Sequence, residues 1–227
     1  MTAVWQWFGS AANWAGDDGI WNRHGQHLAY SALSLLIAAA IAVPLGLWIG
    51  HSGRGRVLAV GLVNGARAIP SLGLLFISVL VLAPRISGAD AFLIPSILVL
   101  VVLAAPPVLA GTYAGVAQVD PAVRDAGRGM GLTSWQVLWE IELPCALPLV
   151  FGGLRSAALQ VVATATIAAT VSVGGLGRFL IDGLAYRDYT MMAGGAILVG
   201  ALAIGVDAAL AGVQRLVVSE GLRSRAS

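Results

Sequence analysis

DPAVRDAGRGMGLTSWQVLWEIELP, from Asp120 to Pro144, is a charged, helix-forming insert between two strongly apolar segments. Asp120 followed by Pro121 reads as an N-cap residue and a first-turn proline, so a short helix is predicted to begin there. Gly129 and Gly131 follow. A glycine takes the left-handed conformation that closes a helix at little steric cost, so the chain is expected to turn at about Gly131. Thr133 with Gln136 three residues on fits a capping box, in which two side chains satisfy orphan backbone donors. A second helix carrying Trp135, Leu138, Trp139 and Ile141 is predicted after it. Pro144 lacks the amide hydrogen that a helix interior needs, so this helix is expected to stop by Leu143 and a new one to begin. The segment reads as a helix pair at a membrane boundary, a docking handle with no catalytic character.

Outward from this insert the chain is apolar almost throughout. Of its 227 residues 58% are hydrophobic and 11% charged, and the mean hydropathy is +0.86. A membrane span needs about 20 apolar residues at about 1.5 Å per residue. Runs of that length fall at roughly 28 to 50, 57 to 83, 91 to 117, 146 to 172 and 190 to 216. The expected fold class is an all-α integral membrane protein with about five transmembrane helices. Its expected division is an extracytoplasmic, interfacial N-terminal segment (1–27), a transmembrane domain (28–217) that contains the 120–144 loop, and a cytoplasmic tail (218–227).

The 120–144 loop resembles the EAA loop in the membrane subunits of binding-protein-dependent ABC importers, where E-A-A, a glycine and I-x-L-P recur at fixed spacing. Asp125, Ala126, Gly127, Gly131, Ile141, Leu143 and Pro144 occupy those positions. Asp125 replaces the glutamate and Gly127 the second alanine, which keeps the acidic and small character but weakens the helix. The resemblance implies a type I ABC importer permease fold. It also implies that these seven residues form a cytoplasmic coupling helix seated in a groove of a separate ATPase subunit, whose closure the loop transmits to the spans. TATIAATVSVGGLG, from Thr164 to Gly177, and ARAIPSLGLL, from Ala66 to Leu75, resemble the osmoprotectant branch, which moves glycine betaine, choline, carnitine or proline-like solutes. The resemblance runs from about Leu28 to Leu216. It implies as partners two ABC ATPase subunits, a second permease chain in a homodimer or heterodimer, and an extracytoplasmic substrate-binding protein that touches the turn at Gly174, Gly175 and Gly177. Membrane lipid is a further expected partner; nucleic acid is not. The alternatives are an importer of the same architecture for methionine or another amino acid and, from a different class, a secondary transporter or channel.

The chain contains no lysine, so it cannot carry a Walker A loop, whose lysine reaches the nucleotide phosphates. HSGRGR and SVGGLG lack that lysine and the spacing, and read as turns. ATP hydrolysis is expected on another polypeptide, with ATP and magnesium bound there and no cofactor or metal on this chain. His24, His27 and His51 are scattered near span ends, where polar interfacial residues are ordinary, and no Ser/His/Asp constellation is visible. A noncatalytic membrane subunit is expected. Cys145 is the sole cysteine, which rules out an intrachain disulfide and reads as packing.

Orientation follows from the arginines. Arg54, Arg56, Arg124, Arg128, Arg215, Arg223 and Arg225 lie on one side of the five-span pattern, and Arg23, Arg85, Arg178 and Arg187 on the other. The richer side is expected to be cytoplasmic. That places the N-terminus outside and the C-terminus inside a bacterial-type plasma or inner membrane. The first residues lack a basic start, so no cleaved leader is expected. Trp5, Phe8 and Ala12 recur at helical spacing and, with Trp7, Trp14 and Trp21, suit an aromatic helix at the outer interface; a disordered tail is the other reading.

Path residues are sought among polar groups in the spans. Gly152, Ser156, Gln160 and Thr164 share one face of the fourth span, which fits either a translocation path or close helix packing. Gln160 is the leading path candidate, with Ser156 and Thr164, because its amide costs more to bury than a hydroxyl. Arg67, Arg155 and Asp207 lie inside spans two, four and five, where charge is expensive unless paired or hydrated. Asp207 is expected to neutralise Arg155 or Arg67 in a polar lock; snorkelling of the arginines to headgroups is the other reading. Pro70, Pro95, Pro106 and Pro107 are expected to kink spans two and three.

Overall fold

The computed structural model describes residues 2–66, 68–88 and 90–219. Among them the helices are α1 (Thr2–Gly9), α2 (Ile20–Ser52), α3 (Arg56–Ala66), α4 (Ser71–Leu82), α5 (Asp90–Ala117), α6 (Pro121–Gly129), α7 (Ser134–Gln136), α8 (Leu143–Ala165), α9 (Gly177–Tyr186) and α10 (Tyr189–Val217). A π-helical turn, Val137–Glu142, joins α7 to α8, and a 3-10 stretch, Thr166–Val171, follows α8. No strand occurs among the described residues. Four helical runs are long and apolar enough to cross a membrane: α2, α5, the Ser134–Val171 run that contains α8, and α10. A shorter apolar stretch, Ser71–Arg85, contains α4.

Spans one, three, four and five therefore have continuous helical counterparts, and span two does not. Its apolar run is divided into α3 and α4, with Pro70 extended at φ −68° and ψ 113° immediately before α4. Hydropathy does not sense this break. The proline ring excludes helical backbone from the residue before it and supplies no amide hydrogen, so the chain is interrupted where a kink was expected. In α5, by contrast, helix continues through Pro95, Pro106 and Pro107. The expected stop at Leu143 is also replaced. Helical backbone runs on, and only the hydrogen-bond pattern changes there, from π to α. Pro144 stands at this junction, where it has no amide hydrogen to give to the preceding turn and the hydrogen-bond pattern changes around it. Helix α9 lies between the fourth and fifth expected spans, where the sequence reading named only the glycine turn.

The described residues fall into two compact units. One comprises Met1–Leu36, Ile69–Leu103 and Ala158–Val206; the other comprises Ile37–Ala68, Ala104–Ala157 and Asp207–Ser227. In the first, Ile20, Val162, Leu176, Phe179 and Leu202 form a buried apolar cluster onto which Trp7, Phe8 and Trp14 pack. Trp7 stands edge-on to Phe179 with ring centroids 5.5 Å apart. A methyl group added at Gly194 would sit 2.5 Å from the Trp7 ring. Helix α1 is thus partly packed against its own unit, while Trp5 and Trp21 remain exposed. A second cluster of the same unit joins Leu75, Val99, Leu103, Ala168, Val171 and Val173.

In the second unit the helices approach closely where side chains are small. A methyl group at Gly50 would lie 2.6 Å from Val116 Cβ, and one at Gly111 would lie 2.6 Å from the Leu149 carbonyl oxygen. These contacts bring α2 against α5, and α5 against α8. Leu47, Val116, Leu138, Ala146 and Val150 form the apolar cluster there.

Candidate functional site

The segment from Asp120 to Pro144 is built by local capping. Asp120 Oδ1 accepts a hydrogen bond from the Ala122 amide at 2.8 Å, which starts α6. Gly131 adopts φ +91°, the left-handed turn that glycine enters freely. Thr133 and Gln136 form the reciprocal capping box: the Gln136 amide donates to Thr133 Oγ1 at 3.3 Å and the Thr133 amide donates to Gln136 Oε1 at 2.9 Å.

Within this frame the motif residues divide between two faces. Gly127 is buried, and a methyl group there would come 2.4 Å from Ile141 Cδ1, so the small residue of α6 seats the isoleucine of the π turn. Asp125 and Ala126 are exposed, with Asp125 3.5 Å from Arg128. Leu143 and Pro144 are half-buried at the start of α8. Val123, Met130, Trp135 and Trp139 are exposed apolar side chains of the same segment, and the two tryptophan rings meet edge-on at 5.3 Å. Apolar groups held out by a rigid, capped frame suit a protein contact.

Behind that surface lies a carboxylate group which the sequence reading did not single out. The Glu142 side chain is 1% exposed. His51 Nδ1, at the end of α2, is 2.6 Å from Glu142 Oε2, and His51 Nε2 is 2.7 Å from Ser134 Oγ. Both ring nitrogens of His51 thus have a polar partner, the Glu142 carboxylate on one side and the Ser134 hydroxyl on the other. Arg124 Nε of α6 lies 3.0 Å from Glu142 Oε1, close enough for charge pairing though not aligned as a hydrogen bond. The Arg124 guanidinium also donates through Nη2 to the carbonyl of Val116 in α5. The available signal was an acidic residue flanked by Ile141 and Leu143. Its partner at position 51 lies beyond any local pattern.

Of the charges expected inside the spans, two meet. Arg155 Nε and Nη2 donate to Asp207 Oδ1 and Oδ2, both at 2.8 Å, a bidentate pair between α8 and α10. Gln214 Oε1 accepts from Arg155 Nη1 at 3.5 Å. Arg67 lies outside the described residues. On α8, Ser156 and Gln160 are exposed, while Thr164 is half-buried and donates to the Gln160 carbonyl at 2.6 Å. Thr164 also helps line a small cavity with Ser71, Ser96 and Leu103. Cys145 is exposed, not packed as its composition suggested. No cluster of three or more histidine, cysteine or acidic side chains suited to a metal occurs among the described residues.

The turn at Gly174, Gly175 and Gly177 is held by α2. Gln26 Oε1 accepts from the Gly175 amide at 2.9 Å and from Arg23 Nη1 at 3.1 Å. Buried His27 bridges the turn: its Nε2 donates to the Val162 carbonyl at 2.9 Å and its Nδ1 accepts from the Leu176 amide at 3.3 Å. This assigns a neutral ring with hydrogen on Nε2.

Residues 42–219 match the family described as binding-protein-dependent transport system inner membrane component. The carnitine transport permease protein OpuCB of Listeria monocytogenes is 33% identical over 198 residues, which make up 87% of this chain and 88% of that protein. The glycine betaine/carnitine/choline transport system permease protein OpuCB of Bacillus subtilis is 31% identical over 201 residues, 88% of this chain and 89% of that protein. The osmoprotectant import permease protein OsmW of Salmonella typhimurium is 33% identical over 201 residues, 87% of this chain and 91% of that protein. In fold, a chain of the MetNI methionine ABC transporter in an inward-facing conformation superposes with a TM-score of 0.73 at 22% identity, over 88% of this chain and 96% of that one. Helical spans, a capped helix pair with the EAA-type spacing, and a family match over most of the length converge: this chain belongs to the binding-protein-dependent transport system inner membrane components and is a multi-pass permease subunit of an ABC importer.

Proposed function

We propose that this permease carries osmoprotectants such as glycine betaine, choline, carnitine or proline into the cell, driven by ATP hydrolysed on a separate pair of ATPase subunits. The observation that carries the solute class is the near full-length similarity to relatives named for carnitine, glycine betaine and choline transport. The likeness to the methionine transporter, at 22% identity, bears on fold alone.

In this reading α6, Gly131, α7 and the π turn face the cytoplasm and form the coupling segment. Asp125 and Ala126, with exposed Met130 and Trp135 beside them, meet the ATPase groove. Gly127 and Ile141 keep the two short helices as one body, and Leu143 and Pro144 hand the motion to α8. A second permease chain, identical or homologous, completes the route, since a subunit of this size does not enclose an alternating-access path alone. Ser156, Gln160 and Thr164 line that route, and the Arg155–Asp207 pair closes its inner end. A loaded binding protein docks outside at the turn of Gly174, Gly175 and Gly177. Selectivity resides mainly on the binding protein, where an aromatic cage attracts a quaternary ammonium by cation–π contact.

The test is uptake of labelled glycine betaine by proteoliposomes holding this chain, its ATPase and its binding protein. Uptake is expected with enclosed ATP and absent with a nonhydrolysable analogue. No uptake, in a complex that still hydrolyses ATP when a methionine-loaded binding protein is added, would move the solute class to amino acids.

A further inference from the structure

The buried Glu142 cluster ties together elements that the chain does not join. Helix α5 runs into the coupling segment within a few residues, and α8 begins directly after Glu142. Any displacement of α6 reaches those two helices through covalent bonds. Helix α2 has no such link: His51 and Glu142 are 91 positions apart. Its contacts with the segment are of two kinds. Leu47 shares an apolar cluster with Leu138, a contact that is non-directional and permits sliding. His51 makes two short polar contacts, to Glu142 and Ser134, which fix a register. Glu142 is 1% exposed and is also paired with Arg124, so its position is set from two sides. Buried polar groups in low dielectric either keep their partners or lose much of their stabilisation, which makes such a cluster stiff.

We propose that Glu142 is a positioning residue for energy coupling: through His51 it makes α2 move as one body with the coupling segment, so that displacement of α6 reaches a helix outside the α5–α8 connection. The proposal rests on the reading that residues 120–144 receive the motion of an ATPase. Glu142 touches neither nucleotide nor solute; it acts through His51 and Arg124.

The experiment measures glycine betaine transported per ATP hydrolysed, in proteoliposomes of the whole complex, for wild type, Glu142→Gln, His51→Asn and the double variant. Glu142→Gln is expected to keep ATPase copurification and hydrolysis while the ratio falls at least fivefold. His51→Asn is expected to lower the ratio in the same direction, and the double variant to be no worse than Glu142→Gln alone. A merely structural role would lower yield and leave the ratio of the assembled complex unchanged. A ratio within twofold of wild type in Glu142→Gln overturns the proposal. If that variant does not assemble, His51→Asn decides, because it leaves the Glu142–Arg124 pair in place; a wild-type ratio there overturns the proposal equally. Absence of ATP-driven uptake in the wild-type complex would instead reject the functional reading on which the proposal rests.

Discussion

Gly131 and Gly127 serve the 120–144 segment in different ways, and substitution separates them. Gly131 is needed for its backbone, at φ +91°. Leucine there is expected to cost roughly 1–2 kcal/mol, the steric penalty of left-handed backbone with a Cβ, and to reduce ATPase copurification. Thermal unfolding of the solubilised chain reads the first effect, and an unchanged midpoint would contradict it. Gly127 is needed for space. Alanine is expected to be tolerated, because the atom it meets is the movable tip of Ile141. Valine, with no room to rotate away, is expected to cost about 1–3 kcal/mol by overpacking. Gly131, the Asp120 cap and the Thr133–Gln136 box were legible in the sequence because each depends on neighbours within four residues or on the sterics of one residue, whereas the need for space at Gly127 comes from Ile141 on the π turn and was reached only through the EAA resemblance. Glu142 was not, since its burial depends on His51 arriving from a distant helix.

Among the elements, α8 and α10 carry the clearest pairwise dependence. Asp207→Asn removes the charge that both Arg155 donors meet, leaving a cation inside a span where unpaired charge is costly. ATP-driven uptake is expected to fall at least tenfold while the chain still reaches the membrane. Intact assembly together with wild-type uptake would remove the polar lock from the mechanism. Hydropathy predicted four of the long helical runs to within a few residues at most ends, because apolar length is what it measures; α2 began earlier, at Ile20, where polar residues precede the apolar run. It missed the division between α3 and α4, because one proline changes backbone geometry without changing apolar content. It also missed the π turn, whose single extra residue per turn leaves no mark in composition.

For the molecule as a whole, the orientation expected from the arginine distribution is one that thiol chemistry tests directly. In a Cys145→Ser background, which removes the one exposed native thiol, Ser10→Cys is expected to react with an impermeant maleimide on intact cells. Met130→Cys, 76% exposed on the coupling segment, is expected to react only after permeabilisation. The reverse pattern would invert the topology and take the coupling segment away from ATP. The family and the helical membrane architecture were legible from the EAA spacing and apolar runs together.

Under the proposed coupling role, the link between His51 and Glu142 also limits how this permease is recombined. In the I-x-L-P motif the unspecified position is the buried one here, Glu142, and its counterpart sits on the first long helix, far outside the motif. A loop transplanted from one importer to another as a self-contained cassette would arrive without that counterpart. On that proposal, a chimera that moves residues 120–144 of this chain into another permease is expected to need position 51 as well, and a graft that folds yet fails to transport is the expected result without it.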